Sequence, residues 1–209
     1  MEHAAFSQQA QNLDGDTSEQ RVAQRYSLLI RPAKLVCAQG EFVCVLRDVS
    51  STGVSARLFH ALPSCEQYTL ELQSGETYSI IRVWARDNEA GFAFDCEIDV
   101  DQLIREASRF PKRGLRLALQ LPVQVMTGLT RADATVLNLS QQGARIECAA
   151  LFAIEQNLRL SGEGVRETRA KVRWRRNSHY GLVFDDTFSL RDFALLVARL
   201  QAPGLVEQS

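Results

Sequence analysis

Asp48-Val49-Ser50-Ser51-Thr52-Gly53 returns ninety residues later as Asn138-Leu139-Ser140-Gln141-Gln142-Gly143. The same shift superposes Pro32 on Pro122, Trp84 on Trp174, Arg86 on Arg176, Gly91 on Gly181, Phe94 on Phe184 and Asp95 on Asp185. Self-similarity at one fixed offset marks a duplication, and this period suits a small domain rather than a solenoid unit. A basic group precedes each copy: Arg21 and Arg25 before the first, Lys112, Arg113 and Arg116 before the second. The basic groups superpose only after a shift of one more residue, so a one-residue indel lies between each group and its proline.

Working outward from the motif, the first half reads as short strands. Leu28–Val36 and Phe42–Leu46 flank a turn at Gln39-Gly40-Glu41, and Tyr68–Leu72, Tyr78–Ala85 and Gly91–Phe94 follow, with Gly75 and Asp87-Asn88 as turn signals. Each half closes with an amphipathic helix at the same offset. Asp99 caps a run with Val100, Leu103, Ile104 and Ala107 on one face, and Ser189 caps Leu190, Phe193, Ala194, Val197 and Leu200. The expected fold is mainly β: two tandem small antiparallel barrels, each followed by a helix, the first helix serving as connector. The domains divide as a polar, disordered tail over 1–18, a first domain over 19–108, a second over 109–202, and a tail over 203–209.

Composition sets limits on function. A chain of 209 residues with 45% hydrophobic residues can supply two cores. Its net charge of −1 gives no global attraction for nucleic acid or an anionic membrane, so an anion site must come from local clustering. Cys37, Cys44, Cys65, Cys96 and Cys148 form an odd set without metal-ligand spacing; they read as reduced core thiols of a cytoplasmic protein, although Cys37 and Cys44 could meet across a hairpin. No run is long and apolar enough to cross a membrane, and no insertion is expected. His3, His60 and His179 lack metal spacing, and no P-loop, nucleophile elbow or HExxH is present, so neither catalysis nor a metal or cofactor is expected.

The motif with its leading arginines resembles the PilZ family, whose RxxxR and [D/N]xSxxG motifs bind cyclic di-GMP. The resemblance covers most of residues 19–200 as two domains. It implies Arg21, Arg25, Asp48, Ser50 and Gly53 as ligand residues in the first, and Lys112, Arg113, Arg116, Asn138, Ser140 and Gly143 in a degenerate second. It also implies a receptor acting on motility, exopolysaccharide or adhesion.

The chemistry agrees with the resemblance. The ligand carries two phosphates and two guanine edges, and a planar arginine fork matches either a phosphate or the O6/N7 pair. Asp48 can accept from guanine or orient an arginine, Ser50 can donate to a phosphate or cap the turn, and Gly53 permits positive φ and close approach. The second half departs from the pattern: Lys112 stands at the leading position, and Asn138 lacks a charge. The first domain is therefore expected to bind more strongly, by ordering its arginine segment across the barrel.

Two further features are duplicated or unique. Trp84 and Trp174 are expected in the cores. Arg169, Lys171, Arg173 and Arg175 alternate with apolar residues, which predicts a strand with four cations on one face, suited to solvent, an acidic protein or the ligand's phosphates. Aromatic residues are not interleaved on that face, so no DNA or RNA strand is expected as a partner. The rival reading is a protein-interaction adaptor with weak or absent nucleotide binding.

Overall fold

β-branched and aromatic runs separated by glycine turns form two copies of one barrel. The computed structural model describes residues 25–105, 114–128 and 130–207. Arg21, Lys112, Arg113 and the tail over 1–18 lie outside these residues. The first copy comprises β1 (Tyr26–Cys37), β2 (Gly40–Val49), β3 (Gly53–Arg57), β4 (Tyr68–Glu71), β5 (Thr77–Arg86) and β6 (Glu89–Phe94), followed by α1 (Val100–Arg105). The second comprises β7 (Arg116–Thr127), β8 (Thr130–Ser140), β9 (Gly143–Cys148), β10 (Asn157–Gly162), β11 (Val165–Arg176) and β12 (His179–Phe184), followed by α2 (Leu190–Gln201) and α3 (Gly204–Glu207).

All strand neighbours are antiparallel, in the orders β1-β2-β3-β6-β5-β4 and β7-β8-β9-β12-β11-β10, and each sheet closes on itself. Closure leaves no strand edge to recruit another chain. Leu35, Leu46, Leu70, Ile80 and Phe92 fill the first barrel, and Val125, Ile146, Leu160, Val172 and Tyr180 fill the second. Each such side chain contributes about 1.5–3 kcal/mol by leaving water.

The indel inferred from sequence is a bulge. In β1, pairing with β2 breaks between Ser27 and Arg31; in β7, pairing with β8 breaks between Ala118 and Leu121. Three residues occupy the first interruption and two the second, so the extra residue is absorbed before the prolines without changing the face that follows.

Both helices are capped as expected. Asp99 Oδ1 accepts from the backbone N–H of Asp101 at 2.9 Å, and Ser189 Oγ from that of Asp192 at 3.1 Å. Phe193, Ala194 and Val197 bury α2 against its own barrel. The same helix also bridges to the first barrel. Gln201 Oε1 accepts from the Glu41 N–H at 3.0 Å and Gln201 Nε2 donates to the Glu41 carbonyl at 2.6 Å, while Glu41 Oε2 accepts from the Ala118 N–H at 2.7 Å. Lys34 neutralises this carboxylate at 3.1 Å and that of Glu71 at 3.0 Å, which offsets the cost of holding the charges away from water. Beyond residue 202, α3 docks on the first barrel, where the Leu205 carbonyl accepts from the Ala61 N–H at 3.0 Å.

Several expectations need correction. Trp84 and Trp174 are not core residues: they lie outside the barrels, 45% and 44% exposed. The four-cation face is interrupted, because the register of β11 with β12 shifts between Val172 and Trp174. Arg169 and Lys171 share the outer face with Trp174, whereas Arg175 pairs with inward-pointing Tyr180. The cysteines are free, but only Cys44 and Cys148 are buried; Cys96 is exposed. Burial pushes the Cys44 thiol up to about 12, and its Sγ faces the Ala33 carbonyl rather than Cys37. Among the described residues no helix is long and apolar enough to cross a membrane.

Candidate functional site

Each motif begins inside a strand. Asp48 and Val49 end β2, Ser50 to Thr52 turn the chain, and Gly53 opens β3; Asn138 to Ser140 end β8 and Gly143 opens β9. The serine closes the turn in both copies: Ser50 Oγ reaches the Gly53 carbonyl at 3.3 Å, and Ser140 Oγ the Gly143 carbonyl at 3.0 Å. The glycines do not adopt positive φ, contrary to expectation. They are required by close approach, since a Cβ on Gly53 would stand 2.6 Å from the Phe92 carbonyl oxygen, and one on Gly143 would stand 2.0 Å from that of Leu182.

Strand register aligns the motif with residues far away in sequence. Paired residues of antiparallel strands project to one face. In the second barrel the pairs Ala118–Asn138, Asn138–Arg145, Arg145–Gly181 and Gly181–Trp174 make one row across β7, β8, β9, β12 and β11. The corresponding row of the first barrel is Ser27, Asp48, Ser55, Gly91 and Trp84. Each row ends in an indole lying over a glycine: a Cβ on Gly91 would meet Trp84 Nε1 at 2.0 Å, and one on Gly181 would meet Trp174 Nε1 at 1.8 Å. Aromatic cover of a strand glycine fixes the ring's tilt and leaves its other face to solvent.

The rows differ in charge. In the first, the Asp48 carboxylate accepts one hydrogen bond on each oxygen, Oδ1 from Ser27 Oγ at 2.7 Å and Oδ2 from Ser55 Oγ at 3.2 Å. In the second, Ala118 and Arg145 replace the two serines, and neutral Asn138 replaces the carboxylate. A cleft of about 220 Å³ above the first row brings together Arg25, Asp48, Ser50, Gly53, Val83 and Trp84. One of about 480 Å³ above the second gathers Arg116, Asn138, Ser140, Gly143, Arg145, Arg173 and Trp174, with no carboxylate among the described residues of its lining. Among the described residues the first cleft thus sets one cation against one anion, and the second presents three cations. Arg21, Lys112 and Arg113, expected at these sites, fall outside the described residues. Among the described residues no set of three His, Cys, Asp or Glu side chains could hold a metal ion.

Four residues of these clefts escaped sequence reasoning or were misassigned: Trp84, Trp174, Arg145 and Arg173. A signal for the tryptophans was present, because Trp84–Gly91 and Trp174–Gly181 repeat one spacing across a hairpin. Arg145 could have been found from alternation, being two residues beyond Gly143 on the same face.

The PilZ domain model matches residues 104–202. That range covers the whole second barrel, which is similar to a PilZ domain. The first is PilZ-like, with the same strand order and the motif at the same place. The family match therefore falls on the half whose leading arginine is replaced by lysine. Solved structures similar to this chain include Borreliella burgdorferi PlzA in complex with c-di-GMP, 12% identical over 83% of this chain and 88% of that one, with a TM-score of 0.34. Bacillus subtilis inhibitor of motility MotI/DgrA is 15% identical over 82% of this chain and 97% of its own, with a TM-score of 0.36. Escherichia coli YcgR in complex with c-di-GMP is 11% identical over 80% and 82%, with a TM-score of 0.33. No curated protein matches the chain.

Proposed function

We propose that this protein is a non-enzymatic receptor for cyclic di-GMP and that the outer face of its second, PilZ-like barrel is the principal ligand site. The observation that carries this reading is the cleft in which Arg116, Asn138, Ser140 and Gly143 meet Trp174. Arg116 supplies a fork for a phosphate or a guanine O6/N7 edge, the Asn138 amide both donates and accepts toward a base, and the free indole face can stack on it. Absence of a lining carboxylate removes the repulsion that two phosphates would otherwise meet.

Binding holds the basic segments that enter β1 and β7, with Arg21 and Arg25 in the first and Lys112, Arg113 and Arg116 in the second, across these rows. It thereby alters the surface offered to a protein partner. Calorimetric titration of the full chain with cyclic di-GMP, with GMP and cyclic di-AMP as controls, tests the reading. Binding of cyclic di-GMP alone, lost in Arg116→Ala, is expected; no binding, or equal binding of all three, would refute it.

A second reading is favoured by one observation on the first barrel. Ile81, Val83 and Trp84 on β5 are 54%, 67% and 45% exposed, an apolar strip where the second barrel carries Lys171, Arg173 and Trp174. Such a strip suits a protein contact, so the first barrel would serve as adaptor while the second senses the nucleotide.

A further inference from the structure

The second motif lacks its leading arginine, yet among the described residues its cleft is the more cationic of the two. Arg145 and Arg173 make it so, and neither belongs to a motif. Arg145 is exposed, sits between Asn138 and Gly181 in the row, and has no acidic partner among the described residues. Its place centres it between the Asn138 amide and the Trp174 ring. Arg173 is the residue displaced by the β11 bulge immediately before Trp174, and it too lines the cleft.

Arg173 is restrained by a single carboxylate. Arg173 Nη1 donates to Glu155 Oε1 at 2.7 Å, and Lys171 Nζ lies 3.9 Å from Glu155 Oε2. Glu155 has φ of 65°, a left-handed backbone that glutamate rarely adopts. The first barrel has none of this apparatus: Ser55 and Val83 stand in the places of Arg145 and Arg173.

We infer that Arg145 and Arg173 are ligand residues of the second barrel, two forks that take over the role of the missing leading arginine, with Glu155 setting how readily Arg173 turns toward the ligand. The inference rests on the nucleotide reading above and names a part of that site outside the family motifs. The ligand class that would use Arg116, Arg145 and Arg173 together is a purine nucleotide that presents phosphate oxygens and a base edge to one face. A fork bound to phosphate or to a guanine edge acts through paired, charge-assisted hydrogen bonds, which a lysine cannot reproduce.

The test uses the full chain and calorimetric titration with cyclic di-GMP. The substitutions Arg145→Ser and Arg173→Val install the residues that the first barrel already carries on the same scaffold, so folding is preserved. Each is expected to weaken binding by about tenfold or more, with Arg145→Lys recovering little of the loss. Glu155→Gln is expected to tighten binding by a few fold, roughly the value of an exposed ion pair, by releasing Arg173. If Arg116→Ala weakens binding while Arg145→Ser and Arg173→Val leave it unchanged, this inference fails and the nucleotide reading stands. If the unsubstituted chain shows no binding, the nucleotide reading itself fails. Full recovery by Arg145→Lys would reduce that residue to a point charge and overturn the fork role. Weaker binding in Glu155→Gln would overturn its role as a restraint.

Discussion

Two rows of five residues, one on each barrel, share a scaffold, a glycine and a tryptophan, and differ at the other three positions. Ser27, Asp48 and Ser55 form a set in which a carboxylate accepts from two hydroxyls; among the described residues Ala118, Asn138 and Arg145 leave an amide and a guanidinium unspent. A family motif scored by residue type favours the first barrel, whose sequence carries Asp48 with Arg21 and Arg25. Charge favours the second, because the described residues of its lining include three cations and no carboxylate to repel a phosphate. On the proposed function, motif completeness and binding readiness are separate properties, the former kept by the first barrel and the latter by the second.

The largest expected effect that could break the comparison is Arg116→Ala against Arg25→Ala. Loss of a charge-assisted fork in the second cleft should cost about 1.5–3 kcal/mol of binding, or more than tenfold, while Arg25→Ala should cost well under half of that. Calorimetry on the full chain measures both. Equal losses would mean that the two rows are equivalent despite their chemistry.

Next come the motif glycines, which sharpen the comparison of the scaffolds. A methyl at Gly143 meets a carbonyl oxygen at 2.0 Å and one at Gly53 meets its counterpart at 2.6 Å, with backbone as the obstacle in both. Gly143→Ala should lower unfolding stability by about 1–3 kcal/mol, and Gly53→Ala by less, as read from urea midpoints. The reverse order would show that the first barrel is the more tightly braced.

The smallest effect concerns His60, where the second barrel has Ala150. His60 is buried against the Phe42 ring; its Nδ1 lies 2.8 Å from the Ala61 carbonyl oxygen, and its Nε2 has no partner among the described residues. Burial pushes its pKa below the ordinary 6.5, against the opposing pull of the Ala61 carbonyl. The unfolded chain then takes up a proton that the folded chain refuses, so His60's contribution is complete above pH 6.5 and is lost as pH falls below it. In His60→Gln the unfolding free energy should fall less steeply between pH 7 and pH 5 than in the unsubstituted chain, as a minor component of a slope shared with carboxylates. An unchanged slope would show that the histidine accepts its proton without cost.

Much of the fold was legible because duplication writes it twice. The hairpin turns at Gly40, Gly75 and Asp87-Asn88, the caps at Asp99 and Ser189 and even the indel before the prolines are local signals with local causes. The tryptophans were misread because hydrophobicity predicts burial only on average, whereas an indole lying over a strand glycine is satisfied outside the barrel. The basic strand was misread for a related reason: alternation assumes an unbroken ladder, and the bulge at Arg173 reverses the faces beyond it. The strength of the sites was least legible of all. Whether Asp48 is free depends on Ser27 and Ser55, and whether the second cleft is cationic depends on Arg145 and Arg173, all brought there by register rather than by sequence proximity.

Intrinsic fluorescence of the two single-tryptophan proteins tests the central claim most directly, because each cleft contains one of the two tryptophans of the chain. Trp84→Phe leaves Trp174 as the reporter, and Trp174→Phe leaves Trp84. On titration with cyclic di-GMP, the Trp174 reporter should change at the lowest ligand concentrations and follow the calorimetric isotherm, while the Trp84 reporter should respond only at concentrations about tenfold higher or more. A Trp84 signal that saturates first, with Trp174 silent until later, would place the principal site on the first barrel and contradict the account.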